Sequence, residues 1–254
     1  MTNKSEAAKV IDFPKASVTC AICPWARACL DQAFNPAQDE NRAQRCSAPL
    51  KRNQHIIRQG DELEYLYVLR SGSAKSYFDS SDGLEQIVAF HYPGDLLGFD
   101  AIGEGRHQSS IIALETAALC RVPYREAEAA WLEAPKLWTE IMRAAARQMH
   151  DKNNHALLLG QKSAAARFAS FLLDVSARLA ARGCSRTEFN LSMPRQDIAN
   201  YLSLAVETVS RLFGDLQSNG VIAVDRRFVR IESFERLRAI AGDGGGAAKH
   251  AHSG

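Results

Sequence analysis

The chemistry of this chain starts with sulfur. Cys20, Cys23 and Cys29 lie within the stretch CAICPWARAC, and the remaining cysteines are Cys46, Cys120 and Cys184. Two thiols separated by two residues can grip one metal centre, and Cys29 follows after five more residues. A fourth ligand must come from elsewhere. Thiolates are the soft ligands that both zinc and iron–sulfur clusters use. Spacing alone does not choose between them, because Cys46 could complete a four-thiolate zinc site. The N-terminal MTNKSEAAKVIDFPKAS has no apolar core of a signal peptide. No run of 18 or more apolar residues exists, so nothing is expected to span a membrane. The expectation is a cytoplasmic chain whose thiols stay reduced, which favours metal or redox chemistry over disulfides.

A second constellation lies near the C-terminus, in SMPRQDIANYLSLAVETVSRLFGDLQSNGVIAV. Glu207, Ser210 and Arg211 stand at i, i+3 and i+4 and share one exposed helix face. Arg can pair bidentately with a guanine edge, Glu can accept from a cytosine amino group, and Ser can reach a base or a phosphate. The competing reading is a plain surface ion pair between Glu207 and Arg211. Net charge does not decide, since it is only +2, and residues 186–238 hold eight Arg against seven Asp or Glu. Any DNA contact must therefore come from how the arginines are placed.

The elements that position these three residues decide in favour of DNA. A helix is expected over Arg195–Leu202, a link at Ser203-Leu204-Ala205, and a second helix from Val206 to about Ser218. The strands GVIAV and FVRIE follow as a hairpin. That order describes a winged helix-turn-helix, with Ile198, Ala199, Leu202, Leu204, Val209 and Leu212 as its buried seam.

Upstream, HIIRQ, YLYVLR, AKSYF, QIVAF and SIIAL read as short strands separated by Gly- and Asp-containing turns. Many short strands at this spacing argue a sandwich, jelly roll or β-roll. From about Lys136 to Leu159 the period becomes helical without Gly or Pro. Met142, Ala145, Met149, Ala156 and Leu159 recur near every 3.5 residues, the spacing of a helix with a partner helix. The competing reading is a helix packed on its own domain with polar residues facing out. In a dimer, the seam meets Lys152 or Asn153 where an apolar residue is expected, which would weaken the dimer and make its formation adjustable. A further helix is expected over Ala164–Ala181, ending at Gly183.

These features resemble the FNR branch of the cAMP receptor protein/FNR transcription regulators over about residues 20–240. VETVSR is similar to the E-x-x-S-R signature of FNR recognition helices. EYLYVLRSGSAKSYF and YPGDLLGFDAIG resemble the cyclic-nucleotide-binding roll. The resemblance implies an α+β fold: an N-terminal cyclic-nucleotide-binding-like β-roll, a long dimerisation helix and a C-terminal winged helix-turn-helix. The division expected is a disordered arm over 1–19, a cysteine-rich segment over 20–46, the roll over 47–130, the dimerisation helix over 131–162, the DNA-binding domain over 163–240 and a disordered tail over 241–254.

The same resemblance implies the ligands. FNR proteins use cysteines spaced by two and then five residues, plus one in a segment like E-T-x-x-x-C-x-I-P, which here is Glu115-Thr-Ala-Ala-Leu-Cys120-Arg-Val-Pro123. A [4Fe-4S] cluster on Cys20, Cys23, Cys29 and Cys120 is thereby implied, with Cys46 and Cys184 spare. Oxygen would convert it to a [2Fe-2S] form and then toward loss. An intact cluster would favour the homodimer and binding to inverted repeats of double-stranded DNA such as TTGAT-N4-ATCAA, mainly to activate anaerobic or microaerobic genes. Arg211 would read the guanine, and Phe78–Leu84 would lie where relatives touch RNA polymerase. Where cAMP-binding relatives carry an Arg-Ser pair this chain has Gln108-Ser109, with Arg106 two residues away, so no cyclic nucleotide is expected. Family members often have Gly-Leu-Thr where this chain has Ser203-Leu204-Ala205, and an acidic residue near Lys152.

No substrate-binding or catalytic constellation is visible, so the chain is not read as an enzyme. No histidine sits at a spacing that argues heme. The alternative function is a zinc-stabilised, constitutive DNA-binding regulator of the same fold.

Overall fold

The computed structural model describes residues 49–79, 83–133 and 135–242. The expectations for residues 1–48, including Cys20, Cys23, Cys29 and Cys46, and for the tail from 243, lie outside the described residues.

Seven strands build the roll: β1 (His55–Ile57), β2 (Tyr65–Ser71), β3 (Ala74–Asp79), β4 (Glu85–His91), β5 (Leu96–Leu97), β6 (Ser110–Ala113) and β7 (Ala118–Pro123). They form two antiparallel sheets, ordered β1-β6-β3-β4 and β5-β2-β7. Leu69, Ala74, Leu97, Ile111, Ala113 and Leu119 fill the space between them. The turn from β2 to β3 needs glycine: Gly72 has φ 78°, and a Cβ there would collide with the carbonyl oxygen of Thr116.

Two helices leave the roll. Helix α1 (Tyr124–Glu133) is followed by α2 (Pro135–Gln161), whose 27 residues span about 40 Å. Its opening proline sits where a missing N–H does no harm. Ile141 of α2 is buried with Leu66, Leu96, Val122 and Ala127, which fastens the start of the helix to the roll. Gln148 donates to the Leu96 carbonyl at 2.7 Å.

Helix α3 (Ala164–Ala180) opens with Ser163, whose hydroxyl accepts from the Ala166 N–H, a normal N-cap. Beyond it come β8 (Glu188–Asn190), α4 (Arg195–Leu202), α5 (Val206–Ser218), β9 (Ile222–Asp225), β10 (Phe228–Ile231) and α6 (Phe234–Ala241). The wing is a three-stranded sheet, β8-β10-β9. Sequence periodicity misses β5, β7 and β8. β5 is two residues long, β8 carries one apolar side chain, and β7 buries Leu119 and Val122, three apart rather than two.

The largest core is shared between the domains. Tyr77, Ile87, Phe90, Tyr92 and Leu114 of the roll pack in one cluster with Phe168, Phe171, Leu172, Ile198, Val209 and Phe213. Phe168 is fully buried and meets Phe213 edge to face, centroids 4.6 Å apart. Phe168→Ala leaves a cavity at this junction and is expected to cost about 3–5 kcal/mol. Urea unfolding of the two proteins checks it; a loss below about 1 kcal/mol would show that the site collapses around the gap.

Candidate nucleic-acid interface and cysteine site

Helix α5 is amphipathic by construction. Val209, Leu212, Phe213 and Leu216 are buried, while Glu207 and Arg211 are exposed and Ser210 is half-buried beside them. Among the described residues, no ion pair joins Glu207 to Arg211. Both side chains therefore face outward with their charges available to a ligand. Leu204, expected in the buried seam, is half-buried; the other five seam residues are buried.

The link before α5 is tight without glycine. Ser203 adopts φ 52°, ψ 51°, its N–H bonds the Asn200 carbonyl at 3.1 Å, and the Leu204 N–H bonds the Ala199 carbonyl at 2.9 Å. That pair of bonds is a complete Schellman motif with serine in the left-handed position. Ala205 caps α5 with no side-chain hydrogen bond. Glu207 in the first turn offsets part of that loss by facing the positive end of the helix dipole.

Helix α4 is locked onto the roll. Asn200 accepts from the Ile87 N–H at 2.7 Å and donates to the Glu85 carbonyl at 2.7 Å, as a strand neighbour would. Lys75, only 7% exposed, reaches Asp197 at 3.0 Å. Arg178 of α3 and Arg182 of the turn after it both grip Asp95, and Arg182 also donates to the Pro93 carbonyl. His91 lies beside Asp95; burial pushes it down to about 4 against the pull of that carboxylate, so it is neutral at physiological pH. Its Nε2 pairs with the Ser76 hydroxyl at 2.6 Å.

Two contacts join α2 to this block. His155 stacks on Tyr201 of α4 with centroids 4.0 Å apart. Arg167 donates to the carbonyls of Leu159 and Lys162, at the end of α2, and to that of Leu202, at the end of α4. Along α2, Met142, Met149, Lys152 and Ala156 are exposed, and Ala145 and Leu159 are half-buried. Trp138, 46% exposed, extends the same row by one step. It stands four residues before Met142, a spacing that could have found it in the sequence.

Cys120 is half-buried in the middle of β7, paired with Val68 of β2. Among the described residues, no three His, Cys, Asp or Glu side chains are grouped to hold a metal ion. A metal site of three or more such side chains that includes Cys120 would therefore need donors from outside the described residues. The chain enters the described fold next to this strand: the Leu50 and Ala117 backbones bond each other, at 2.7 and 3.0 Å, three residues from Cys120. Cys184 is packed against the large core at the end of α3, in a different domain. The exposed Phe78 and Leu84 flank the β3–β4 turn, of which residues 80–82 are outside the described set.

The description "Cyclic nucleotide-binding domain" matches residues 48–132, and "Crp-like helix-turn-helix domain" matches residues 166–240. The chain is 40% identical over 229 residues to the fumarate and nitrate reduction regulatory protein of Salmonella typhi, covering 89% of this chain and 91% of that protein. The chain belongs to the CRP/FNR family of transcription regulators. Against the protein of the same name from Escherichia coli K12 the identity is 39% over the same share of both chains. The structure of FixK2 from Bradyrhizobium japonicum superposes with a TM-score of 0.70 at 30% identity, over 76% of this chain and 95% of that one. Membership makes this chain a DNA-binding regulator of FNR type, and its fold the family's roll plus helix-turn-helix.

Within that family fold, Ser203 carries a conformational penalty. An L-residue in the left-handed region costs about 1–2 kcal/mol, against about 0.5–1 kcal/mol of extra chain entropy for glycine. Ser203→Gly is expected to raise stability by about 0.5–1 kcal/mol in urea unfolding and to leave DNA affinity unchanged. A destabilised variant would mean that the serine side chain holds the link.

Proposed function

We propose that this chain is an oxygen-sensing global regulator whose DNA-binding form is a homodimer that assembles when oxygen is absent. The observation that carries the reading is the Leu50–Ala117 pairing. It brings the chain at Leu50 beside the start of β7, the strand that carries Cys120, and Cys20, Cys23 and Cys29 belong to the residues that lead up to Leu50 in sequence. Those four thiolates would hold the cluster, a donor set of the kind iron–sulfur centres use. An oxygen-labile [4Fe-4S] cluster there would supply the signal.

The rest is done by the chain. Holding Cys120 to the N-terminal segment orders that segment against β7, which is local folding coupled to metal binding. Helix α2 is fastened to the same sheet pair through Ile141 and Gln148. Its row of Trp138, Met142, Ala145, Met149, Ala156 and Leu159 would bury against its copy in a partner, with Lys152 limiting dimer strength. A marginal dimer needs only a small differential contact to shift its population. Dimerisation sets two α5 helices about one turn of DNA apart, so that Glu207, Ser210 and Arg211 of each read one half of a TTGAT-N4-ATCAA-like repeat. The segment Phe78–Leu84, whose ends Phe78 and Leu84 are exposed, would then be the surface offered to RNA polymerase, chiefly for activation. The protein acts in the cytoplasm, and it is a regulator rather than an enzyme.

The test separates signal from reading. Wild type purified without oxygen is expected to be brown, with about four irons and four sulfides per chain, dimeric and DNA-bound, and to lose all three in air. Cys120→Ser is expected to be colourless and monomeric. Arg211→Ala is expected to keep colour and dimer while losing about 1–3 kcal/mol of specific DNA affinity. A colourless wild type with about one zinc, binding DNA equally in air, would replace this reading with the constitutive regulator.

A further inference from the structure

The roll contains a second polar site, formed from the 3-10 turn Phe99–Ala101 and the loop before β6. The backbone N–H groups of Gln108 and Ser109 donate to Asp100 Oδ2 at 3.2 and 3.0 Å, and the Ser109 hydroxyl donates to the same oxygen at 2.7 Å. The other carboxylate oxygen faces His107 Nδ1 at 3.2 Å. His107 and Ser109 are buried. Successive N–H groups with a hydroxyl beside them form a nest for an oxyanion. This nest opens on a cavity of about 1070 Å³ whose lining includes Asp100 and Ser109, Arg143, Arg147, Asp151 and Lys152 of α2, and Asp95 with its two arginine partners.

We propose that Asp100 is the resident ligand of this anion cradle: the chain supplies its own carboxylate where a phosphate- or carboxylate-bearing small molecule would otherwise bind. A free anion would have to displace Asp100 from three donors or sit beside its charge, and like charges at contact oppose each other. Arg106, the nearby cation that could have favoured a bound phosphate, is turned away. It donates to the Gly60 carbonyl and to Glu62 and does not line the cavity. Were Asp100 absent, Gln108 N–H, Ser109 N–H and the Ser109 hydroxyl would be left without their acceptor beside a cavity with cationic walls. Burial raises the Asp100 carboxyl, but the bonds from His107 and Ser109 outweigh it and hold the group below the ordinary aspartate range. It is therefore an anion at neutral pH, as a resident ligand must be.

The test is anion rescue, read as melting temperature in sodium acetate or sodium phosphate against sodium chloride of equal ionic strength. Asp100→Ala is expected to melt several degrees below wild type in chloride and to recover about half or more of the loss in acetate or phosphate, while wild type responds to neither beyond chloride. Adding Ser109→Ala to Asp100→Ala is expected to abolish the recovery. If Asp100→Ala does not fold in chloride, refolding yield in the three salts gives the same comparison. Either of two results overturns the proposal: an Asp100→Ala protein that acetate and phosphate help no more than chloride, or a wild type that they stabilise as much as the variant. Neither readout involves oxygen, metal or DNA, so the outcome is independent of the function proposed above.

Discussion

The docking of α4 onto the β3–β4 hairpin is the constraint on which the arrangement of the whole molecule depends. Ala74, Lys75, Ser76 and Tyr77 are all buried in sequence, which a strand can manage only when both of its faces are covered. The roll interior covers one face, and the helix-turn-helix domain covers the other. Once Asn200 has satisfied the backbone of β4, α4 behaves as an extra layer of the roll. Lys75 and Asp197 then form an ion pair in a place where an unpartnered charge would be strongly destabilising. The pair adds little net stability by itself, but it penalises any other seating of the domain. Asp95 does the same at the far end, since the guanidiniums of Arg178 on α3 and Arg182 just after it converge on it.

That constraint has a consequence for signalling. Because α4 is fixed to the roll and also stacked on α2 through Tyr201 and His155, the reading helix, one tight link further on, inherits its position from both. Arg167 adds a third tie, since its guanidinium joins the carbonyl ends of α2 and α4. A change in how α2 meets a partner has a short, packed route to α5, and no flexible linker intervenes to absorb it. Energetic coupling through such a route requires discrete alternative packings. The seam of α2 is where the sequence places the residue least suited to burial, Lys152. In the proposed dimer, a seam weakened by Lys152 would need only a small differential contact to tip it.

The parts of this molecule that depend on local periodicity could be read from the chain. Both helices of the reading motif have the ends their patterns predict, Arg195–Leu202 and Val206–Ser218, because each is short, amphipathic and followed by a stop signal. The wing was visible for the same reason. Features made by distant residues were not. Strand β7 buries side chains three apart and so shows no strand period, although it carries Cys120, the proposed fourth ligand. The two-sided burial of β3 gives no sign in AKSYFD, where a lysine looks like a solvent-facing residue. Asn200 reads as a polar position on the outside of a helix, yet it serves as a backbone surrogate for another domain. Of the site residues, the three on α5 lie together on one face, whereas only Cys120 of the proposed cysteine set is among the described residues.

The roll itself poses the last physical question, namely how the buried donors of its β6 loop are satisfied, because an orphaned N–H or hydroxyl in the interior costs about 1–3 kcal/mol. Removing the donors would mean rebuilding a loop whose backbone is set by Gly98 at φ 96° and by the pairing of β6 with β1 and β3. Placing a carboxylate in the cradle is the smaller change, since one side chain on the 3-10 turn meets three donors at once. With its donors met in this way, the roll would offer α2 a fixed surface, and the signal proposed at the neighbouring β7 strand would act on α2 against it.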